Sequence, residues 1–438
     1  MASARKVLIM GAAGRDFHNF NCVYRNNDAF RVVAFTATQI PDIAGRKYPA
    51  ELAGRLYPDG IPIHDEADTV RLVREHGVDD VVFAYSDVSN QYVMERAARA
   101  NAAGANFVLL GSRDTMLVSK KPVIGVCAVR TGSGKSQTSR FVAGVLRAMG
   151  RKVAVVRHPM PYGDLAKQAV QRFATFDDLA AHDCTIEERE EYEPHVEKGS
   201  VVFAGVDYHA ILKAAEAEAD VILWDGGNND LPFYKPSLFV TVADPLRPGH
   251  ERTYHPGAAN FLAADVIVIN KVDSADAAGL DAVRRSAAEL NPGAAVVEAA
   301  SEITTDQPAA IRGKKVLVVE DGPTLTHGGM HIGAGWVLAT REGAGEIVDA
   351  RPYAVGSIRD TYTKYPHVQT ILPAMGYSER QVRELEQTIA AVPADVIVVG
   401  TPIDLGRLVR DARPMVRVRY ELKQVAGPAL EGLVARVV

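Results

Sequence analysis

Short apolar runs alternate with longer helical patterns along almost the whole of this sequence. Within residues 1–118, the runs KVLIM, RVVAF, DDVVFAY and NFVLL have the length and composition of strands, and the stretches between them end at glycine, a common helix stop. Such alternation is typical of a mostly parallel sheet with helices on its faces. We therefore predict an α/β fold that opens with a Rossmann-like, substrate-binding domain over residues 1–118.

Two further segments repeat the pattern. Valine- and isoleucine-rich runs from KKPVIGVCAV to GAAVVEAAS indicate strands buried on both faces, which predicts a second parallel-sheet domain over residues 119–310. The last segment, residues 311–438, opens at KKVLVVEDGP and holds fewer strands. We expect it to be a C-terminal α/β extension of the central sheet that completes the core and the active site. A chain of 438 residues is long enough for several such cores.

The composition limits the kinds of partner. A net charge of −5 argues against nucleic acid or an anionic membrane. Cys22, Cys127 and Cys184 are far apart and no C-x-x-C occurs, so neither a disulfide framework nor a cysteine zinc site is indicated. No apolar run approaches the ~20 residues of a membrane-spanning helix, and none near the start is long enough for a signal peptide. We expect a protein of the reducing cytoplasm.

The stretch GVCAVRTGSGKSQTSR, residues 125–140, predicts a phosphate-binding loop of the P-loop NTPases, because it follows a strand and opens a helix. Its glycines let backbone N–H groups converge on phosphate oxygens at the positive end of the helix dipole. Lys135 would reach the β- and γ-phosphates, and the Ser136 hydroxyl would bind Mg²⁺. The predicted nucleotide-binding residues of this loop are Thr131, Gly132, Ser133, Gly134, Lys135, Ser136 and Gln137.

Val129 stands where the usual first glycine of this loop would be. The variant pattern [K/R]-x-G-x-G-K-[ST] resembles the signal-recognition, MinD-like and BioD-like class of NTPases. That resemblance implies for Arg130 the place of a lysine that reaches the nucleotide of a partner subunit. We predict a catalytic role for Arg130 across a dimer. Action within its own subunit and simple contact with solvent are the alternatives.

Two aspartates follow later strands. Asp225 ends the run VILWD and is predicted to hold Mg²⁺ together with Ser136. Asp164 follows the strand after the loop helix, and we predict that it positions a catalytic water or metal.

The run VIVINKVD resembles the guanine-reading motif N-K-x-D. Asp273 would accept hydrogen bonds from guanine, Lys271 would pack across the ring, and Asn270 would complete the nucleotide site. The alternative is an ordinary strand end followed by a capped helix. ATP and GTP therefore both remain open as the nucleotide.

Two glycine-containing loops are predicted to bind substrate. GAAGRDFHNFN lacks the dinucleotide pattern G-x-G-x-x-G but places Arg15, His18 and Asn19 just after the first strand, where ligands gather in open α/β sheets. In VEDGPTLTHGGMHIGAG we predict substrate contact for His327. A metal pair with His331 and a purely structural loop are the alternatives for this second stretch.

The stretches GAAGRDFHNFN, AVRTGSGKSQTSR, WDGGNND, INKVD, EDGPTLTHGGM and YPHVQTILPAMGYS resemble cyclic 2,3-diphosphoglycerate synthetase and its predicted GTPase relatives. The likeness runs over nearly the whole chain. It implies a ligase that spends a nucleoside triphosphate to close 2,3-bisphosphoglycerate into a cyclic pyrophosphate, releasing nucleoside diphosphate and phosphate. It also implies Mg²⁺ and a homodimer.

A different class remains open beside the ligase. A regulatory or metal-chaperone GTPase would act on a protein partner, and the N-K-x-D motif favours it. The polar loop of the first domain favours the ligase, because a switch protein has no need of a second small-molecule pocket.

Overall fold

The computed structural model describes residues 3–38, 43, 45–158, 163–326, 328–375 and 379–438. These residues form three α/β modules, each built around its own sheet. The parallel-sheet α/β class predicted from the alternating pattern is confirmed. No helix in these described ranges is long and apolar enough to cross a lipid bilayer.

The first module has a six-stranded sheet in the order β3-β4-β2-β1-β5-β7, parallel except at β3–β4. Its longer helices end where predicted, at Gly77 and Gly104, which take the left-handed conformation that stops a helix. The elements are β1 (Arg5–Met10), α1 (Arg15–Asn19), β2 (Phe30–Ala37), β3 (Lys47–Tyr48), α2 (Ala50–Ala53), β4 (Ile61–Asp65), α3 (Thr69–His76), β5 (Asp80–Phe83), β6 (Val88–Ser89), α4 (Asn90–Ala103), β7 (Asn106–Val108) and α5 (Ser112–Thr115).

The central module holds the predicted phosphate loop, between the fully buried β8 and α6. Strand β8 lies between β12 and β13, so the loop projects from the middle of the sheet. The elements are β8 (Val123–Ala128), α6 (Lys135–Ala148), β9 (Val153–Val156), β10 (Gln171–Phe173), α7 (Phe176–Ala181), α8 (Ile186–Glu197), β11 (Val201–Ala204), α9 (Tyr208–Glu218), β12 (Val221–Trp224), β13 (Leu238–Ala243), α10 (His250–Thr253), β14 (Tyr254–His255), α11 (Gly257–Ala263), β15 (Val266–Ile269), α12 (Ala277–Leu290) and β16 (Ala295–Thr304).

The third module forms a separate parallel sheet in which β17 pairs with β18, β19 and β20, and β20 pairs with β21. The elements are β17 (Lys315–Asp321), α13 (Gly322–Leu325), α14 (Ala334–Arg341), β18 (Glu346–Ile347), α15 (Gly356–Lys364), β19 (Leu372–Ala374), α16 (Glu379–Ala391), β20 (Val396–Val399) and β21 (Met415–Arg417).

The chain then returns to the central module. Strand β22 (Arg419–Ala426) adds antiparallel to β16 as the last strand of the nine-stranded central sheet, order β10-β11-β9-β12-β8-β13-β15-β16-β22, and α17 (Leu430–Ala435) packs beside α6. The expected extension of the central sheet thus consists of β22 alone. The other strands of the segment pair with one another, and the largely buried strands β17, β19 and β20 lie between two hydrophobic clusters of this module.

Strands β6 and β14 join the first and central modules. They form a two-stranded antiparallel pair, in which Tyr254 lies opposite Ser89 and His255 opposite Val88. The pair lies next to the phosphate loop: Asp87, just before β6, and Tyr254, in β14, both contact Arg130.

Candidate nucleotide-binding and catalytic site

The predicted phosphate loop lines a cavity of about 340 Å³ between the central and third modules. Gly134 has a φ of 109°, and a Cβ there would collide with the carboxamide of Asn270, so only glycine fits. Helix α6 begins at Lys135 and directs its free N–H groups toward the loop, as an anion site requires. All the predicted loop residues line the cavity except Ser133, which is buried beneath it.

Lys135 and Asp225 form the centre of a buried charge cluster. Lys135 Nζ lies 2.6 Å from Asp225 Oδ1, and the other carboxylate oxygen faces Arg157 at 2.8 Å and His195 Nε2 at 3.1 Å. Burial alone would raise the pKa of Asp225, but the charges of Arg157 and Lys135 outweigh it and hold that pKa well below its ordinary value. Burial lowers the pKa of Lys135 to about 8. Asp225, which was predicted to bind Mg²⁺, therefore pairs directly with the loop lysine, and its role as a metal ligand stays a prediction.

The residues present fit Mg²⁺ in the way usual for a phosphate loop. No three His, Cys, Asp or Glu side chains of the described chain are grouped to hold a metal by themselves. Such a loop needs only one or two protein ligands, because the nucleotide phosphates and water supply the rest. Ser136, half-buried in the first turn of α6, lines the cavity and can serve as that ligand.

Arg130 is held within its own chain. Its Nε donates to Asp87 Oδ1 at 2.7 Å, its guanidinium covers the Tyr254 ring at 3.8 Å, and Nη1 lies 3.1 Å from His250 Nδ1. Asp87 belongs to the first module and also accepts a hydrogen bond from the backbone N–H of Thr131 at 3.3 Å. These contacts place Arg130 at the junction of two modules, so the geometry favours action in its own subunit. Its catalytic role stays a prediction.

Two residues of the N-K-x-D motif hold the backbone of the phosphate loop. Asn270 Nδ2 donates to the Ser133 carbonyl at 3.0 Å, and Lys271 Nζ donates to the Gly132 carbonyl at 2.6 Å. Asp273 is exposed and accepts a hydrogen bond from Ser301 N at 3.1 Å. Asn270 and Lys271 thus shape the phosphate loop itself, whereas the reading of guanine by Asp273 stays a prediction.

Arg247, for which no role was predicted, also holds the loop. Arg247 donates to the carbonyls of Thr131 at 2.8 Å and Gly328 at 2.9 Å, and it pairs with Asp244 at 2.8 Å. Arg247 therefore links the phosphate loop to the third module. The signal available in the sequence was VADPLRPGH, a charged loop that follows a buried strand next to β8.

Five carboxyl groups also line the cavity, and we call them together the acidic wall: Glu187, Glu190 and Glu191 from one face of α8, and Glu320 and Asp321 from the end of β17. Glu191 forms an ion pair with Arg157, which links the wall to the Lys135–Asp225 cluster. Asp321 was predicted only as part of a loop, and no role was predicted for the glutamates.

Burial governs the protonation of the acidic wall. It raises the pKa of Glu190 well above the ordinary value, and the nearby Asp321 adds to the effect. The Thr401 hydroxyl donates to Glu190 Oε1 at 2.6 Å and fixes its direction. Burial also raises the pKa of Glu320 to about 7, although the Trp336 backbone N–H donates to its Oε1 at 2.8 Å. Carboxyl groups of this kind ionise readily only when a cation joins them.

The cavity lining does not include every predicted site residue. Asp164 is exposed and accepts a hydrogen bond from Ala166 N at 3.0 Å, as in a surface turn. It is not among the residues that line the cavity, and the catalytic role predicted for it stays a prediction. His327 lies outside the described residues.

The first-module residues occupy a separate buried region. Arg15 donates to the Leu231 carbonyl and to Thr115 Oγ1, both at 3.1 Å. The His18 ring stacks on Phe233 at 4.0 Å, and burial lowers its pKa well below the ordinary value. Arg15 and the buried Asn19 line a second cavity of only about 20 Å³, enough for a water molecule. The substrate roles predicted for these three residues therefore stay predictions.

The fold and the loop together are those of the P-loop α/β class. No protein-family model matches the chain. It is 63% identical over 427 residues to arginine synthetase ArcE of Thermococcus kodakarensis, a match that covers 98% of this chain and 95% of that protein. The chain therefore belongs to the arginine synthetase ArcE family, whose namesake is an enzyme. A specific likeness to cyclic 2,3-diphosphoglycerate synthetase is not confirmed by this comparison.

Two solved structures are distantly similar. LpxK from Aquifex aeolicus, solved in complex with ATP, has 12% sequence identity and a TM-score of 0.43, over 79% of this chain and 95% of that one. A DUF1611 family protein from Anabaena variabilis has 13% identity and a TM-score of 0.23, over 67% of this chain and 94% of that one.

Proposed function

We propose that this protein is a nucleoside-triphosphate-dependent ligase that forms arginine. The observation that carries the proposal is the cavity in which the phosphate loop faces the acidic wall. One side suits a nucleotide polyphosphate, and the other suits a cation such as ammonium or a guanidinium group. The name of the close relative ArcE supports the same product.

The reaction follows from the chemistry of the product. To make a guanidinium group by phosphoryl activation, the enzyme needs a carbon that carries oxygen, and the amino acid with a ureido group in place of the guanidinium is citrulline. The ureido oxygen attacks the γ-phosphorus, the bond from that phosphorus to the bridging oxygen breaks, and nucleoside diphosphate leaves. Ammonia then attacks the activated carbon and inorganic phosphate leaves, giving arginine.

One proton must be removed in this sequence, because ammonium has to lose it before nitrogen can attack. Glu190 is placed to accept that proton: it lines the cavity, it is buried, and its pKa lies well above the ordinary value. Thr401 keeps its carboxyl group directed. Lys135 holds the phosphates, and Ser136 would hold Mg²⁺, which when bound neutralises charge on the transferring phosphoryl group.

The substrate implied by the resemblance, 2,3-bisphosphoglycerate, is the alternative. It carries several negative charges, and a negative charge 4 Å from a carboxylate at a partly buried site costs about 4 kcal/mol. This anion can bind only while the raised pKa values of Glu190 and Glu320 keep the wall protonated. A cationic reactant lowers those pKa values and is attracted by the ionised carboxylates, which supports a cationic reactant over a bisphosphorylated acid.

Product analysis tests the proposal. We would incubate the purified protein with Mg²⁺, citrulline and ammonium, in separate reactions with ATP and with GTP, and measure arginine, nucleoside diphosphate and phosphate. Equal amounts of the three products are expected. A parallel reaction with 2,3-bisphosphoglycerate would be followed by phosphorus NMR. A cyclic pyrophosphate without any arginine would reject the proposal in favour of the alternative, and nucleotide hydrolysis with neither product would favour a regulatory GTPase.

A further inference from the structure

Asn229 has an unusual backbone for a residue with a side chain. It ends the short helical turn Gly227–Asn229 after β12 and has a φ of 56°, in the left-handed region. The buried Asn260 holds it there, because its Nδ2 donates to the Asn229 carbonyl at 2.7 Å. Non-glycine residues in this conformation are uncommon and concentrate at functional sites.

The side chain of Asn229 faces the nucleotide cavity and is only 2% exposed. Its Nδ2 lies 3.5 Å from Thr131 Oγ1, at the beginning of the phosphate loop. No donor among the described residues forms a hydrogen bond to its Oδ1. A buried carbonyl oxygen without a donor is costly, so an N–H or O–H group of water or of a ligand in the cavity has to reach this atom.

The two polar atoms of this carboxamide need different partners, because Nδ2 donates hydrogen bonds and Oδ1 accepts them. Phosphate oxygens are acceptors only, so they can bind Nδ2, which already points to the phosphate loop, but they cannot satisfy Oδ1. A ureido group presents N–H donors beside its reacting oxygen. Its N–H can donate to Oδ1 while its oxygen faces the γ-phosphate.

We propose that Asn229 is a specificity-determining residue that binds the phosphoryl acceptor through Oδ1 and orients its oxygen toward the γ-phosphorus. This inference rests on the proposed function, since it takes the ureido group as the acceptor. In the step it assists, a bond forms between the ureido oxygen and the γ-phosphorus as the bond to the bridging oxygen breaks. Asn229 gains and loses no proton.

The test compares Asn229→Gly with the wild type. Glycine tolerates the left-handed backbone and removes only the carboxamide. We expect kcat/KM for citrulline to fall about 10- to 100-fold, the usual effect of losing a buried hydrogen bond to substrate. The Kd of a fluorescent nucleotide should change by less than about 3-fold, because Lys135 and the loop backbone remain. More nucleoside diphosphate should form per arginine.

Asp183→Gly is the matched control, since Asp183 has a φ of 51° but is exposed at the end of α7. Its kinetic constants should equal those of the wild type. Asn229→Asp keeps the shape of the side chain and an acceptor oxygen. This variant replaces Asn229→Gly in the test if the glycine variant does not fold. In that variant the KM for citrulline should stay close to wild type while kcat falls, because a negative charge now faces the phosphates.

Several results would overturn the inference. If kcat/KM for citrulline is unchanged in Asn229→Gly, the Oδ1 atom binds only solvent. If nucleotide affinity falls by the same factor as kcat/KM for citrulline, the carboxamide belongs to the nucleotide site. If wild-type protein makes no arginine, the proposed function fails and the inference fails with it, whereas arginine formation with an unaffected variant rejects the inference alone.

Discussion

At the residue scale, Lys135 forms an ion pair with Asp225 at 2.6 Å when no nucleotide is bound. Incoming phosphates therefore have to draw Lys135 away, and Asp225 would then be available to bind Mg²⁺. Arg157 and His195 keep Asp225 in place during this exchange. The sequence predicted Lys135 and Asp225 from local pattern. It could not predict Arg157 and His195, because they come from the end of β9 and from α8 and no motif links them to the loop.

Lys135→Ala is expected to reduce nucleotide turnover at least ~10²-fold, because the phosphate-binding cation is lost. The fold should persist, since Arg157 still compensates Asp225. Turnover is measured as nucleoside diphosphate released, and thermal unfolding reports the fold. Lys152→Ala, which removes an exposed lysine just before β9, is the control. Normal turnover in a folded Lys135→Ala protein would contradict the assignment of the phosphate loop.

At the scale of single elements, α8 shows why part of the site escaped prediction. A capping box fixes its start: Thr185 Oγ1 accepts from Glu188 N at 3.2 Å, and the Glu188 carboxylate accepts from Thr185 N at 2.9 Å. That start decides that Glu187, Glu190 and Glu191 face the cavity. A run such as EEREEYE ordinarily indicates a solvated helix face. Packing of this helix against β11, α6 and the third module buries it, and that packing leaves no local pattern in the sequence.

Glu320, which lies near the end of β17 and accepts a hydrogen bond from the first turn of α14, is expected to make stability depend on pH. Its folded pKa of about 7 lies above the ordinary 4.5, so its stabilising contribution is complete below pH ~4.5 and is lost as pH rises through 7. Glu320→Gln removes this dependence. Between pH 5 and 8, the wild-type free energy of unfolding should fall by about 2–3 kcal/mol relative to that of the variant.

Urea unfolding at several pH values measures the Glu320 effect. Glu51→Gln, in the exposed first turn of α2, is the control and should follow the wild type. Parallel pH curves for Glu320→Gln and wild type would mean that the folded protein keeps Glu320 ionised, contrary to its burial.

At the scale of the whole molecule, the first module reaches the phosphate loop through Asp87. This residue has a φ of 59° and accepts hydrogen bonds from Arg130 Nε and Thr131 N, two donors that an incoming phosphate would also use. The sequence predicted three α/β segments and the importance of Arg130. It could not predict Asp87, because the pairing of β6 with β14 that brings it there depends on how two modules dock.

Asp87→Asn is expected to tighten nucleotide binding about 10-fold. The neutral side chain no longer competes with phosphate for the Arg130 guanidinium, whose charge is then free to attract the nucleotide. Calorimetric titration with ATP and GTP measures the change, and Asp59→Asn on an exposed turn of the first module is the control. Weaker binding would show that Asp87 positions Arg130 for the nucleotide.

The return of β22 beside β16 bears on how such a protein can change over generations. Thr304 pairs with Arg419, and paired residues in an antiparallel ladder lie only about 5 Å apart. Residues 305–418 therefore leave and re-enter the host sheet at adjacent points, as an insertion does. Glu320 and Asp321 belong to the insertion, whereas the phosphate loop belongs to the host. Recombination at that single junction can replace Glu320 and Asp321, and leave both the α8 glutamates and the strand order of the host sheet unchanged.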